Sequence, residues 1–362
     1  MRKADVERLD ERKEKILAAI VESYVRHNRP VGSTSVVALA GLDVSPATVR
    51  NEMRALEQLG MLEQPHVSAG RVPTQYGYRY YVDHLLKERK PSAIWPAELV
   101  SLLERSSLHG ELEATLAGAS KVLSEATRQA AVIAGPFPED ETVKAIHFSA
   151  MSDDSVLISV ITRSGRAILR TLRLDFSVPI SLLERAEDGM HALDGMPLGE
   201  LGPTIAKLKQ IEAKAGSRPE EDRRYGELWR VFLEKVGSCL TGIDSDPVPW
   251  YVGGTARVAA GWPSGEWRGF GGLLQTLEEP NALIRAMKQI GAQEGVRVLI
   301  GSEIPVRSLR SCSVVAAGVV ADSKVIGCVG VVGPMRMDYS RVIPAVKDTS
   351  AWLSGWMLSS HG

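Results

Sequence analysis

The sequence predicts a multidomain α+β protein, with a helical N-terminal block and a larger mixed part behind it. Its 362 residues exceed the size of one ordinary domain and suggest two or three. The first ninety residues show apolar side chains at helical spacing, and long strand-like runs appear only after residue 128. With 44% hydrophobic and 24% charged residues, the chain can build sizeable cores.

Charge is distributed unevenly between these two parts. Residues 1–90 hold 15 Lys+Arg and 12 Asp+Glu, a balance of +3, and the remaining residues hold 28 and 32, a balance of −4. The sum is the net charge of −1, which excludes a uniformly basic protein. The asymmetry permits nucleic-acid binding by the N-terminal part.

The cysteines and the N-terminus indicate the cellular compartment. Cys239, Cys312 and Cys328 are odd in number and widely spaced, so we expect free thiols rather than disulfides or a metal site. The segment MRKADVERLDERKEK has no apolar core of a signal peptide, and no apolar run approaches the ~18 residues that span a bilayer. We therefore expect a cytoplasmic protein with no membrane contact and no cofactor.

Three helices are predicted near the N-terminus. Apolar spacing predicts the first over residues 5–28, where Pro30 ends it because proline disfavours helix at the residue before it. A shorter helix is expected over residues 33–40, followed by a tight turn at Gly41. The third should start after the N-cap Ser45 and stop at Gly60. This spacing is typical of a helix-turn-helix.

The third helix has two contrasting sides. A helical wheel predicts that its buried side carries Val49, Met53, Leu56 and Leu59. The opposite side carries Ala47, Arg50, Asn51, Arg54 and Gln58. Guanidinium forks match guanine acceptors and amides match adenine, while every such group can also hold a phosphate. The residues alone are equally compatible with a solvated polar face.

The stretch after Gly60 predicts a β-hairpin wing beside this helix. The runs MLEQP and GRVPT flank HVSA and suit two short strands. Small residues would allow a close approach to DNA, Ser68 would donate to a phosphate, and Arg71 would supply charge to the backbone or a narrow minor groove. A helix is expected from Thr74 to about Arg89. Its predicted core face comprises Tyr78, Tyr81, Val82 and Leu85.

At this point the residues resemble a known family. The segment SPATVRNEMRALEQLGMLEQPHVSAGRVPTQYGYRYYVD is similar to the winged-helix region of the HrcA heat-inducible transcription repressors. The segment that begins GSEIPVRSLRSCSVVAAGVVADSKVIGCVGVVGP resembles the closing part of the same family. The two segments bracket nearly the whole chain.

The resemblance implies a fold, a function and partners. It implies a winged-helix domain over residues 1–90, a GAF-like domain over 91–179 and 250–362, and an inserted dimerisation segment over 180–249. It also implies a homodimer that represses chaperone operons by binding an inverted repeat in double-stranded DNA, tuned by the GroEL chaperonin. The implied DNA-binding positions are Ala47, Thr48, Arg50, Asn51, Arg54, Ser68, Gly70 and Arg71.

The rest of the sequence is mixed in structure. A linker is expected at residues 91–96 and a long helix at 97–130. Strand-like runs cover 129–137, 142–151, 154–165 and 166–175, followed by charged helices over 180–245. Further strands are expected at 297–303, 311–321 and 323–334, with a last helix over 339–358. The helical block between strands suggests an insertion within one α/β domain.

Catalysis finds no support in the sequence. The seven histidines show no metal spacing, and no Gly-x-Ser-x-Gly motif is present. Gly327, Gly330 and Gly333 fit close strand packing rather than a dinucleotide site. The cluster of Arg336, Asp338 and Arg341 predicts an ion pair that caps the last helix, with Asp338 near its N-terminal end.

Two functions from different classes therefore stand side by side. The first is a DNA-binding repressor whose α/β domain serves assembly. The second is a winged-helix regulator controlled by a small-molecule effector in the GAF-like domain. A hydrolase is a distant third.

Overall fold

The N-terminal domain is a helix-turn-helix followed by a two-stranded hairpin and a capping helix. The computed structural model describes residues 8–67, 69–86, 112–212, 220–262, 267–292, 295–321 and 323–360. The domain's elements are α1 (Glu11–His27), α2 (Ser33–Ala40), α3 (Pro46–Gln58), β1 (Leu62–Glu63), β2 (Val72–Pro73) and α4 (Gln75–Tyr80). A π-helical turn, Tyr81–Leu85, continues α4.

Local chemistry sets the helix boundaries of this domain. Asp10 caps α1 by accepting a hydrogen bond from the Lys13 N–H, and Asn28 ends it in the left-handed conformation at φ 51°. Gly41 ends α2 in the same way at φ 60°. The predicted limits of α2 are confirmed, as is the end of the first helix at residue 28. The predicted start at residue 5 lies outside the described residues. The prediction also makes residues 8–10 helical, and this is wrong, because they precede the Asp10-capped start of the helix at Glu11.

A five-stranded antiparallel sheet forms the centre of the α/β domain. Its strands are β3 (Ala130–Ala134), β7 (Trp250–Gly253), β8 (Arg297–Ile300), β9 (Cys312–Ala321) and β10 (Lys324–Pro334), in the spatial order β7-β3-β10-β9-β8. The helices of this domain are α5 (Leu112–Thr127), α9 (Thr255–Gly261), α10 (Trp267–Glu278), α11 (Asn281–Gly291) and α12 (Tyr339–Ser360). The part of the predicted 97–130 helix before residue 112, and the 91–96 linker, lie outside the described residues.

A second sheet lies between these strands in sequence. It comprises β4 (Val143–Ser152), β5 (Ser155–Thr162) and β6 (Ala167–Arg173), which pair as consecutive antiparallel hairpins. The helices α6 (Ile180–Met190), α7 (Leu198–Glu212) and α8 (Glu220–Leu240) follow it. The sheet and these helices share one core around Phe148, Ile158 and Phe232.

This arrangement differs from the strand grouping that the sequence predicts. The predicted grouping assigns the strands over 142–175 to the GAF-like domain, before an insertion that starts at residue 180. They pair with each other and pack on the following helices instead. Strand runs do not encode their partners, since pairing is decided by contacts distant in sequence.

The winged domain and the α/β domain share a hydrophobic core. One continuous cluster of buried residues runs from Ile16, Leu17 and Val49 to Val315, Val342 and Leu353. The rings of Tyr78 and Tyr339 lie 6.0 Å apart at the junction. Burial raises the pKa of the Tyr339 hydroxyl, which is hydrogen-bonded to Ser313 at 2.7 Å. The two domains are therefore packed together.

Several sequence predictions have a direct outcome in the fold. The glycine prediction for β10 is confirmed, because a Cβ at Gly330 would lie 2.6 Å from the Val315 carbonyl oxygen. The prediction that Leu59 is core is wrong: its side chain is 52% exposed, because α3 ends at Gln58 and Leu59 forms the C-cap. Cys239, Cys312 and Cys328 are free thiols, the first half-buried and the others buried.

Candidate nucleic-acid interface

The recognition helix α3 begins as its sequence predicts. The Ser45 side chain accepts a hydrogen bond from the Thr48 N–H at 3.1 Å, and its hydroxyl lies 3.0 Å from that of Thr48. Pro46 takes the first helical position, where its missing N–H costs no hydrogen bond. Thr48 is thus half-buried and serves the cap.

The two sides of α3 have opposite chemistry. Val49, Met53 and Leu56 are buried, at 0%, 4% and 0% exposure, and fix the helix to the core. The exposed side carries Ala47, Arg50, Asn51, Arg54 and Gln58. Among the described residues, neither Arg50 nor Arg54 forms an ion pair. Their guanidinium groups are therefore available to bases or phosphates.

The two carboxylates of α3 are each paired with cations from other elements. Glu52 lies 3.2 Å from Lys13 and 3.6 Å from Arg12, both on α1. Glu57 pairs with Arg71 of the wing, whose Nη2 lies 2.9 Å from Oε2. This pairing offsets the negative charge at both sides of the recognition face, so the face presents positive charge to solvent.

Arg71 is a half-buried residue that joins the wing to α3. Its Nε donates to Glu57 Oε2 at 3.1 Å, which makes a second bond to the same carboxylate. Its backbone pairs with Val31 through two hydrogen bonds of 2.9 Å. Contact of Arg71 with DNA stays a prediction, and in the structure its side chain links the wing to α3.

Gly70 has a structural reason to be glycine. A Cβ at this position would lie 2.3 Å from the Val31 carbonyl oxygen, so a side chain cannot fit without displacing the wing. A close approach of Gly70 to DNA stays a prediction. In the structure its backbone closely approaches the segment that leads into α2. Ser68 lies outside the described residues.

Sequence reasoning missed two residues of the wing. The Gln64 side-chain amide donates to the carbonyl oxygens of Val67 at 2.8 Å and Ala69 at 3.0 Å, which closes the loop. Val67 is 98% exposed at the tip. The sequence does contain a signal for this contact. A glutamine at the base of a short loop of small residues can donate its amide protons to the loop's carbonyl oxygens.

Three of the four tyrosines after the wing are packing residues, as predicted, whereas Tyr76 is 48% exposed. Tyr78 and Tyr81 are 2% and 4% exposed, and Tyr80 is 4% exposed as well. The Tyr80 hydroxyl accepts from the Leu9 N–H at 2.9 Å and donates to Glu14 at 2.8 Å. Burial, together with this carboxylate, raises the pKa of Tyr80 to about 12. These bonds fix α4 to α1.

The helix α4 also contacts the α/β domain through polar side chains. Arg79 donates to the Val298 carbonyl oxygen at 2.8 Å and pairs with Glu303 at 3.0 Å. Gln75 exchanges two hydrogen bonds with Ser302, of 2.9 and 3.1 Å. The recognition helix is therefore held in one orientation relative to the central sheet.

The cluster predicted to cap the last helix acts differently. Arg336 donates to the carbonyl oxygens of Val25 at 3.0 Å and Gly261 at 3.3 Å, so it joins the winged domain to α9. Asp338 accepts from the Ser340 hydroxyl at 2.6 Å at the start of α12. The predicted position of Asp338 at the start of the helix is confirmed, and its carbonyl oxygen accepts from the Val342 N–H at 2.9 Å. The predicted ion pair within the cluster of Arg336, Asp338 and Arg341 is not among the contacts of the described residues.

The geometry defines a winged-helix DNA-binding protein, and comparison with known proteins agrees with that class. A family profile described as "Winged helix-turn-helix transcription repressor, HrcA DNA-binding" matches residues 8–84. A second, "HrcA protein C terminal domain", matches residues 113–343. The chain belongs to the HrcA family of heat-inducible transcription repressors, which is not a family of enzymes.

Individual relatives cover nearly the whole chain. The heat-inducible transcription repressor HrcA of Symbiobacterium thermophilum is 36% identical over 96% of this chain and 98% of its own length. That of Shouchella clausii is 32% identical over 96% and 99%. A solved structure of a hypothetical protein has a TM-score of 0.64 at 23% identity, covering 98% of this chain and 100% of the other. That likeness shows the same fold.

Two kinds of feature are absent from the described part of the chain. No group of three or more histidine, cysteine, aspartate or glutamate side chains could hold a metal ion there. The same residues contain no helix that combines the length and the hydropathy of a membrane-spanning segment.

Proposed function

We propose that the protein represses chaperone operons by binding an inverted-repeat operator as a homodimer, with α3 in the major groove. The observation that carries this proposal is the exposed face of Arg50, Asn51 and Arg54. These side chains lie on a helix whose carboxylates are paired elsewhere. The arginines match guanine and the amide matches adenine. Ala47 leaves room for a base or a thymine methyl group beside them.

A dimer matches the symmetry of such an operator. Two winged domains related by a two-fold axis double the base contacts without new chemistry, and their recognition helices must lie ~34–36 Å apart or a multiple of it. The outward face of the three-stranded sheet is the surface we assign to the dimer. It carries Leu157, Ile161 and Leu169, with Leu169 56% exposed. An exposed leucine beside partly exposed apolar neighbours is compatible with a protein contact.

We propose that the dimerisation segment begins with the three-stranded sheet and ends with α8. Its core of strands and helices is separate from the clusters around the central sheet. The remaining α/β domain, with its five antiparallel strands and flanking helices, would be the GAF-like domain. With this division, one buried cluster lies in the dimerisation segment and one in the α/β domain. The third cluster joins the α/β domain to the winged domain.

Regulation by the chaperonin GroEL belongs to the same proposal. It is supported by the HrcA family membership and by the heat-inducible character that the relatives' names state. GroEL would favour the DNA-binding-competent form, and heat would divert it to unfolded clients. Comparing operator binding by the refolded protein with and without GroEL tests this part. Equal active fractions in both samples would contradict it.

Operator binding itself is tested with arginine variants. Arg50→Ala and Arg54→Ala are each expected to weaken binding to a labelled chaperone-operon duplex by ~1–3 kcal/mol. Fluorescence anisotropy at moderate salt gives the Kd. The matched control is Arg285→Ala, an exposed arginine on α11 far from the winged domain in sequence. If both α3 variants bound the operator as wild type does, α3 would not be the reading helix.

A further inference from the structure

A cavity of about 740 Å³, wide open to solvent, lies between α10 and the segment that leads into β9. Its described lining comprises Gly269, Gly272, Gln275, Arg307, Ser308, Arg310, Ser311 and Met335. The volume is in the range of small-molecule sites. No carboxylate is among these lining residues. The cavity is far in sequence from the recognition helix, and the proposed DNA contacts do not use it.

Close packing creates the cavity wall. A Cβ at Gly272 would lie 2.1 Å from the Ser308 carbonyl oxygen, and one at Gly269 would lie 2.5 Å from the Ser311 hydroxyl oxygen. The two glycines are three residues apart and therefore share a face of α10. The helix backbone thus runs directly along the segment that carries both arginines. Side chains at these glycines would separate the two elements.

Most polar side chains that line the cavity are hydrogen-bond donors. Thr276 donates its hydroxyl proton to the Gly272 carbonyl oxygen at 2.7 Å, so the Ser308 hydroxyl, 2.8 Å away, donates to Thr276 and is occupied. The Ser311 hydroxyl and the Gln275 amide remain as neutral donors. Within the described part of the chain, the side chains of Arg307 and Arg310 form no ion pair. Two guanidinium groups and neutral donors together suit an oxyanion.

We propose that this cavity binds a phosphorylated small molecule. Arg307 and Arg310 are three residues apart around a 3-10 turn, so both forks can reach one phosphoryl group or two adjacent ones. Arginine forks pair bidentately with phosphate oxygens, which gives direction as well as charge. The remaining volume accommodates an organic part of mononucleotide size.

The cavity also adjoins the junction with the winged domain. The Met335 sulfur would lie 3.2 Å from a Cβ at Gly301, the residue before Ser302. Ser302 is hydrogen-bonded to Gln75 of α4, and Arg336 next to Met335 bonds to α1. A ligand that touches Met335 would therefore lie close to Ser302 and Arg336. These two residues form the hydrogen bonds that hold the winged domain against the α/β domain.

Ligand binding without DNA tests the proposal, so its result is independent of operator binding. The full-length protein is titrated with inorganic phosphate, inorganic pyrophosphate and ATP at constant ionic strength, and the Tm is followed. A saturable rise in Tm is expected with at least one of the three, because a ligand that binds only the folded state stabilises it. Binding of phosphate alone would define a phosphoryl site, and preference for ATP would define a nucleotide site.

Arginine variants assign the binding to this cavity. Arg307→Gln with Arg310→Gln is expected to raise the apparent Kd at least tenfold, whereas Arg285→Gln on α11 should leave it unchanged. Both arginines are exposed, so the double variant should fold. If it does not, Arg310→Gln alone is expected to raise the Kd by about threefold in calorimetric titration. A wild-type protein that binds none of the three probes, or arginine variants with the wild-type Kd, would overturn the proposal.

Discussion

Arg71 of the wing and Glu57 of the recognition helix form a two-point ion pair, with nitrogen–oxygen distances of 2.9 and 3.1 Å. The pair fixes the wing against α3 and neutralises a carboxylate beside the proposed DNA-reading face. Each side chain is partly shielded, at 15% and 33% exposure, so the contact should be worth about 1 kcal/mol. Arg71 therefore has two tasks, which variants can separate.

Removing Arg71 leaves Glu57 unpaired next to the operator. Arg71→Ala is expected to weaken operator binding. It should also make the fall of the logarithm of the binding constant with the logarithm of the salt concentration shallower by about one unit. The double variant Arg71→Ala with Glu57→Gln should regain part of the lost affinity, because the repelling carboxylate is gone. Anisotropy titrations at several salt concentrations measure both effects. Glu63→Gln, an exposed carboxylate on β1, is the control. Equal affinities of the single and double variants would show that Glu57 has no part in the effect.

Gly70 is expected to tolerate no side chain. Gly70→Ala places a methyl group 2.3 Å from the Val31 carbonyl oxygen and should break the backbone pair between Val31 and Arg71. We expect a loss of ~1–3 kcal/mol in the free energy of unfolding, measured by urea titration, together with weaker operator binding. Gly32→Ala is the matched control, since nothing lies within 4 Å of its Cβ position. A wild-type stability for Gly70→Ala would contradict the close approach of the wing to Val31.

Tyr80 predicts a specific dependence of stability on pH. Its pKa is raised to about 12 in the folded state, against about 10 for an exposed tyrosine. The folded state therefore holds the phenol proton to a higher pH than the unfolded state does. The stabilisation of the folded state by Tyr80 is complete below pH 10 and is lost as the pH rises from 10 toward 12. Tyr80→Phe removes two hydrogen bonds and should be less stable at pH 8 by about 1 kcal/mol.

The difference between Tyr80→Phe and wild type should shrink as the pH approaches 11. Denaturant titrations at pH 8, 9, 10 and 11 give the free energies of unfolding. Tyr76→Phe serves as the control, because that side chain is 48% exposed. A gap that stays constant over this range would contradict the raised pKa of Tyr80.

The outward sheet face predicts the oligomeric state. Leu169→Lys introduces a charge at a 56% exposed position and should convert the proposed dimer into a monomer without unfolding the chain. Sedimentation velocity at micromolar concentration measures the change. Leu358→Lys on α12, 50% exposed, is the control and should remain a dimer. A dimeric Leu169→Lys variant would place the interface elsewhere.

Local signals in the sequence predicted much of the winged domain. Ser45 and Pro46 define the start of α3, and the period of Val49, Met53 and Leu56 defines its buried side, because capping and amphipathic spacing act within a few residues. Leu59 has the right spacing but lies beyond the last helical residue, where the period no longer applies.

Long-range contacts were beyond sequence reasoning. Arg71 and Glu57 are 14 residues apart and meet only because the wing folds back on α3. Arg336 bonds to Val25, 311 residues away, whereas the sequence suggested a partner within its own charged cluster. The three strands over 142–175 were predicted, but their separation into a sheet of their own was not, because a strand run does not encode the sheet that it joins.

The continuous core at the junction of Tyr78 and Tyr339 couples the fates of two domains. A DNA reader that shares buried side chains with its main domain cannot melt independently of it, so both should give a single calorimetric transition. Operator release by unfolding and exposure of the apolar interior are then expected at the same temperature. Above that temperature the chain would present the same kind of exposed apolar surface as the unfolded clients of GroEL.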